Sequence, residues 1–342
     1  MDIMFFVFLS SGLFLGWSLG ANDAANIFGT AVGSRMLKFN TAAIIASVFI
    51  ILGAVYAGSG ASQTLGQLGS VNALAGAFMV ALSAAVTVYW MLGSGIPVST
   101  SQAIVGAIVG WNIYSGKPTD LDVLKTIAST WVICPILSAV IAFLTYFLVR
   151  KVLRRSHMHL LRQDCYVRTG LIVIAAFGAY ALGANNIANV MGVFVSSSPF
   201  NGIDFHGFSL NGTQILFFIG AISICVGVFT YSQKTIRTIG NNLMSITPAV
   251  AWIVVFAQSL VLFLFASVAL KNFLLSHGLP ALPLVPVSSS QAVVGAIMGV
   301  GIAKGGRNIS WITIGKISIG WVTTPVIAAG LCFISLFFLE NV

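Results

Sequence analysis

The sequence predicts an all-α polytopic membrane protein: two inverted-topology repeats with discontinuous helices or re-entrant hairpins, and about 10–12 membrane segments. Three observations predict it. Of 342 residues, 58% are hydrophobic and 7% are charged, whereas a soluble domain carries about 25% charged residues. Apolar stretches approaching the roughly 20 residues that cross a bilayer recur from end to end. Four landmarks return in the same order in the second half of the chain.

The first apolar run covers 3–20. Met1 to Ser10 carries no basic segment ahead of it, so the run is expected to be a first span and not a cleaved signal. Further runs follow at 41–58, 71–93, 103–111, 127–149, 170–182, 213–231, 246–270, 292–303 and 317–339. The runs at 103–111 and 292–303 are too short to cross as helices. Both directly follow a Pro-Ser segment, so they are expected to be half-helices or arms of re-entrant hairpins.

The landmarks define the repeat. Gly20-Ala-Asn-Asp-Ala-Ala-Asn26 returns as Gly183-Ala-Asn-Asn-Ile-Ala-Asn189, and Thr64-Leu-Gly-Gln-Leu-Gly69 returns more weakly as Thr235-Ile-Arg-Thr-Ile-Gly240. The segment from Pro97 to Gly110 returns from Pro286 to Gly299, identical at 11 of 14 positions. Trp131-Val-Ile-Cys-Pro135 returns as Trp321-Val-Thr-Thr-Pro325. The expected organisation is a first repeat at 1–149, a short basic joint at 150–168 and a second repeat at 169–342.

The net charge of +9 is a matter of topology and not of nucleic-acid binding. Six of the sixteen Lys and Arg residues (Arg150, Lys151, Arg154, Arg155, Arg162 and Arg168) lie in the joint, and none precedes Arg35 or follows Lys316. Cytoplasmic loops are enriched in Lys and Arg. Both termini are therefore expected outside and the joint inside, so each half crosses an odd number of times and the halves run in opposite directions. The four cysteines have no metal or redox spacing and read as packing residues. A channel is disfavoured by the paired half-helix motifs, and a hydrolase by the want of a nucleophile with its base.

Two constellations carry chemistry. In Pro97-Val-Ser-Thr-Ser-Gln and Pro286-Val-Ser-Ser-Ser-Gln, a proline is followed by capping residues, so each motif should open a helix inside the protein. Such an end exposes unpaired N–H groups and about half a positive charge. With Ser99, Thr100, Ser101 and Gln102, and with Ser288, Ser289, Ser290 and Gln291, the two motifs make facing nests of neutral donors suited to a tetrahedral oxyanion. The simpler alternative is that these hydroxyls satisfy backbone groups where helices approach closely.

The second constellation is oxygen-rich. Asp23 is the single acid among the apolar runs, and an ionisable group there is a functional candidate. With Asn22 and Asn26, and a Gly-Ala break expected to free backbone carbonyls, it offers hard ligands for a small cation; the second copy offers Asn185, Asn186 and Asn189. Capping of a broken helix by Asp23 is the alternative, and the two are compatible. No transition-metal site or other cofactor is expected. Cation coupling also has an energetic motive, since moving a divalent anion against about 100 mV costs roughly 4.6 kcal/mol.

These motifs resemble the PiT family of inorganic phosphate transporters, over about residues 10 to 335. The resemblance implies a symporter of phosphate into the cell, coupled to sodium or, as the lesser alternative, to protons, with discontinuous helices meeting around the phosphate. Expected partners are inorganic phosphate, sodium ions and the lipid bilayer of the cell membrane, with a homodimer left open and no nucleic acid. A sulfate permease of the same superfamily is the close rival. Sulfate is fully deprotonated, and Asp23 could accept a phosphate proton as well as a cation. The family pattern has an acid where Asn186 stands, which bears on the number of coupling cations. It also often has a long mid-chain insert, here reduced to the joint.

Overall fold

The computed structural model describes residues 3–33, 36–69, 71, 74–93, 98–155, 159–205, 208–239, 247–306 and 309–340; Pro97 and Gly240 of the repeated motifs lie outside them. The described residues form thirteen α-helices: α1 (Ile3–Gly33), α2 (Phe39–Ala57), α3 (Ser59–Leu68), α4 (Leu74–Gly93), α5 (Thr100–Ser115), α6 (Leu121–Arg155), α7 (Leu160–Met191), α8 (Gly212–Thr230), α9 (Ser232–Ile239), α10 (Pro248–Leu264), α11 (Val268–Ser276), α12 (Ser289–Ala303) and α13 (Trp311–Glu340). The polar stretch after α7 forms a short 3-10 helix, Gly192–Ser197, and an antiparallel pair, β1 (Ile203–Phe205) with β2 (Phe208–Leu210).

Among the described residues, seven helices are long and apolar enough to cross a membrane: α1, α2, α4, α6, α7, α8 and α13. An eighth span forms if α10 and α11, bent by 70° across a short break, count as one. The protein is thus a multi-pass helical membrane protein. Outward faces of these helices carry apolar side chains such as Val132, Leu144, Ile319 and Val326, as contact with lipid requires.

Elements of the two halves meet reciprocally. Helix α1 packs on α8 and α7 on α2; α5 packs on α13 and α12 on α6. Glycines set these approaches. A Cβ on Gly20 would overlap the Ile224 carbonyl, and one on Gly183 would overlap the Ile50 carbonyl. The fourth landmark finds its role here as well: Pro135, inside α6, lies over Gly295 of α12, and Pro325, inside α13, lies over Gly106 of α5. The small residues after each Ser-Gln motif therefore let a half-helix sit directly on a kink-prone proline turn of the other half.

This packing corrects one expectation. The Gly-Ala-Asn motifs do not break their helices, since α1 and α7 run unbroken through residues 20–26 and 183–189. Along the chain a glycine signals a break. Its actual task here is to clear space for a neighbouring backbone, and that tertiary contact overrides its poor helix propensity.

Candidate functional site

Both Ser-Gln motifs open helices, as expected. Ser99 caps α5 and its hydroxyl accepts from the Gln102 amide at 3.2 Å; Ser288 caps α12 and accepts from the Gln291 amide at 3.2 Å. Each cap satisfies the third amide of its helix. The amides of Thr100 and Ser101, and of Ser289 and Ser290, stand in the first turn, where helical geometry provides no acceptor within the helix.

The two tips are joined by their own serines. The Ser101 hydroxyl donates to the Val287 carbonyl at 3.1 Å, and the Ser290 hydroxyl donates to the Val98 carbonyl at 2.8 Å. Ser288 and Ser290 share a further bond of 3.0 Å. With their protons directed at backbone, Ser101 and Ser290 present lone pairs, not donors, to anything between the tips. The motif alone makes all eight residues donors; the geometry narrows the donors at the tips to the first-turn amides and the hydroxyls of Thr100 and Ser289, which face Asp23.

The asparagine motifs meet the tips of both halves. Asn22 donates to the Val98 carbonyl at 2.9 Å and to the Asp23 carboxylate at 3.0 Å. The Asp23 carboxylate faces the hydroxyls of Thr100 and Ser289. Asn26 reaches Ser289 at 3.4 Å. In the second copy Asn185 grips the extended segment before α12, donating to the Val285 carbonyl at 3.1 Å and accepting from the Val287 amide at 2.8 Å. Asn189 donates to Ser101 at 2.9 Å and to Asn186 at 2.9 Å. All fourteen residues singled out from the sequence therefore lie in one connected cluster, and none is more than 4% exposed.

Several buried polar atoms in this cluster have no hydrogen-bond partner: Asn22 Oδ1, Thr100 Oγ1, Gln102 Oε1, Asn186 Nδ2, Asn189 Oδ1 and Gln291 Oε1. Leaving each unpaired costs about 1–3 kcal/mol. Six such atoms within one buried cluster at two helix N-termini are groups that a bound ligand would satisfy. The oxygens with Asp23 fit a hard cation, and the amides with Thr100 fit an oxyanion.

One member of the cluster lies outside the sequence expectation. Gln258 of α10 is fully buried, donates to the Asn26 carbonyl at 2.7 Å and leaves its own Oε1 unpaired. It belongs to neither repeated motif. A lone glutamine inside an apolar run was the available signal. A cavity of ≈ 600 Å³ lies between the end of α2, α3, the 3-10 helix and the start of α8, and none of the fourteen residues lines it.

The sequence profile of the phosphate transporter family matches residues 19–167 and again 161–332. The chain belongs to the phosphate transporter family. It is a transporter and not an enzyme. A relative from Methanocaldococcus jannaschii that carries the name of a phosphate permease is 28% identical over 94% of this transporter and 93% of its own length. The chloroplastic inorganic phosphate transporter 2-1 of Arabidopsis thaliana is 26% identical over 94% of this transporter and 70% of its own length. The solved structure of a sodium-dependent phosphate transporter shares the fold, with a TM-score of 0.80, 22% identity and full coverage of both chains.

Proposed function

We propose that this transporter carries inorganic phosphate into the cell by symport with a cation, sodium in the first place. The observation that carries the reading is the convergence of two half-helix N-termini with a single buried acid in one closed cluster. Phosphate sits between the tips. The amides of Thr100, Ser101, Ser289 and Ser290 and the side chains of Thr100, Ser289, Gln102 and Gln291 hold it, while the caps Ser99 and Ser288 fix the helix ends that point at it. Sodium sits beside it on Asp23, Asn22 Oδ1 and neighbouring hydroxyl oxygens. Asn26, Asn185, Asn186 and Asn189 supply or orient the remaining oxygens.

Adjacency supplies the coupling. A cation on Asp23 offsets the repulsion between that carboxylate and the phosphate, so each ligand raises affinity for the other. Two or more cations would also cancel the roughly 4.6 kcal/mol that a divalent anion pays against about 100 mV. The sodium dependence in the name of the structural neighbour favours sodium over protons. The reciprocal contacts of the halves support an inverted repeat, the Lys and Arg excess in the joint supports termini outside and the joint inside, and access alternates as one half rocks on the other.

The test is uptake of labelled phosphate and sulfate into proteoliposomes with sodium and pH gradients imposed separately. Phosphate accumulation driven by sodium alone is the expected result. Accumulation under a pH gradient alone would move the coupling to protons, and preference for sulfate would overturn the substrate.

A further inference from the structure

A second anion-seeking feature lies away from the cluster. At the basic end of α6, Tyr146, Val149, Arg150 and Arg154 follow one another at helical spacing and share a stripe. That stripe faces Ile253 of α10 and Lys304 at the end of α12 across a groove of ≈ 320 Å³. Arg150 and Arg154 also border a neighbouring cavity of ≈ 480 Å³ with Lys151 and Arg155.

The charge here is unbalanced. Among the described residues no carboxylate lines either cavity, and the one ion pair joins Lys125 and Asp122 at the other end of α6. Arg150, Arg154 and Lys304 bring three positive charges to the C-terminal ends of α6 and α12. Two helix macrodipoles offset only about half a charge each. The groove wall is apolar below and basic above, at the end of a membrane span. That order matches an acyl chain carrying an anionic headgroup.

We propose that the groove between α6, α10 and α12 binds an anionic phospholipid, its headgroup phosphate on Arg150, Arg154 and Lys304 and an acyl chain along Tyr146, Val149 and Ile253. The lipid bridges elements of both halves, so it fixes their relative position at the basic end of the molecule.

The purified transporter in neutral phosphatidylcholine nanodiscs is titrated with phosphatidylglycerol, with retained lipid counted by native mass spectrometry. At about 1 kcal/mol per basic residue, Arg150→Gln with Arg154→Gln should weaken retention about 30-fold. Arg162→Gln with Arg168→Gln removes the same charge from exposed positions on α7 and should leave retention unchanged. Ile253→Trp, which fills the groove without touching its charges, should also abolish retention. Equal loss in both arginine pairs would reduce the effect to bulk charge and overturn the site. Retention surviving Ile253→Trp, or displacement of the lipid by free inorganic phosphate, would overturn the lipid in favour of a plain anion.

Discussion

Replacing Ser101 by alanine removes one hydroxyl that serves both halves at once. The Val287 carbonyl loses its donor at 3.1 Å and Asn189 loses an acceptor at 2.9 Å, both in fully closed surroundings. An unpaired buried polar group costs about 1–3 kcal/mol, while interhelical hydrogen bonds in membrane proteins average nearer 0.6 kcal/mol. Two such losses give a destabilisation of about 1–3 kcal/mol. At about 2–4 °C per kcal/mol, the apparent Tm should fall on the order of 5 °C. The assay is thermal unfolding of the purified protein beside phosphate uptake. Ser290→Ala should act likewise through Val98, and the double variant should depart from additivity by about 0.5 kcal/mol or more, because both bonds hold the same two tips. An unchanged Tm with only a raised KM would refute the brace and return Ser101 to the role of a ligand donor.

Three further outcomes follow from the same geometry. Gly295→Ala sets a Cβ about 2.7 Å from Pro135 Cα and should cost about 1–3 kcal/mol in thermal unfolding, whereas Gly330→Ala, which meets nothing within 4 Å, should be neutral or slightly stabilising. Asn186→Asp keeps the bond accepted from Asn189 and removes an unpaired donor, so the fold should persist while sodium dependence of uptake steepens; an unchanged Hill slope would exclude a second cation there. Gln258→Leu removes the side-chain bond from α10 to the Asn26 carbonyl and should lower cation affinity more than phosphate affinity, measured by uptake at varied sodium.

Much of this was legible because the chemistry is written twice. A serine after Pro-Val, followed three residues later by glutamine, specifies a capped helix start wherever it occurs, and Ser99 and Ser288 obey it alike. Hydroxyl direction was not legible. Ser101 and Ser290 donate to carbonyls supplied by the opposite half, an acceptor that no local pattern announces. Glycine misled for a related reason: Gly20 and Gly183 look like breaks along the chain and act as contact points across it. Gln258 stayed hidden because a residue outside the repeat gains its meaning only when α10 is laid against α1. The asymmetry of the copies was half visible. Asp23 against Asn186 could be read off, but the free Oδ1 of Asn22 against the bound Oδ1 of Asn185 required the fold.

The central claim is that cation and phosphate occupy one cluster and bind interdependently. Phosphate affinity of the purified transporter, titrated calorimetrically at increasing sodium, tests it most directly. Affinity should rise at least about tenfold as sodium saturates, equivalent to about 1.4 kcal/mol of coupling, and Asp23→Asn should abolish the rise. A phosphate affinity indifferent to sodium, or a rise that survives Asp23→Asn, would contradict the account.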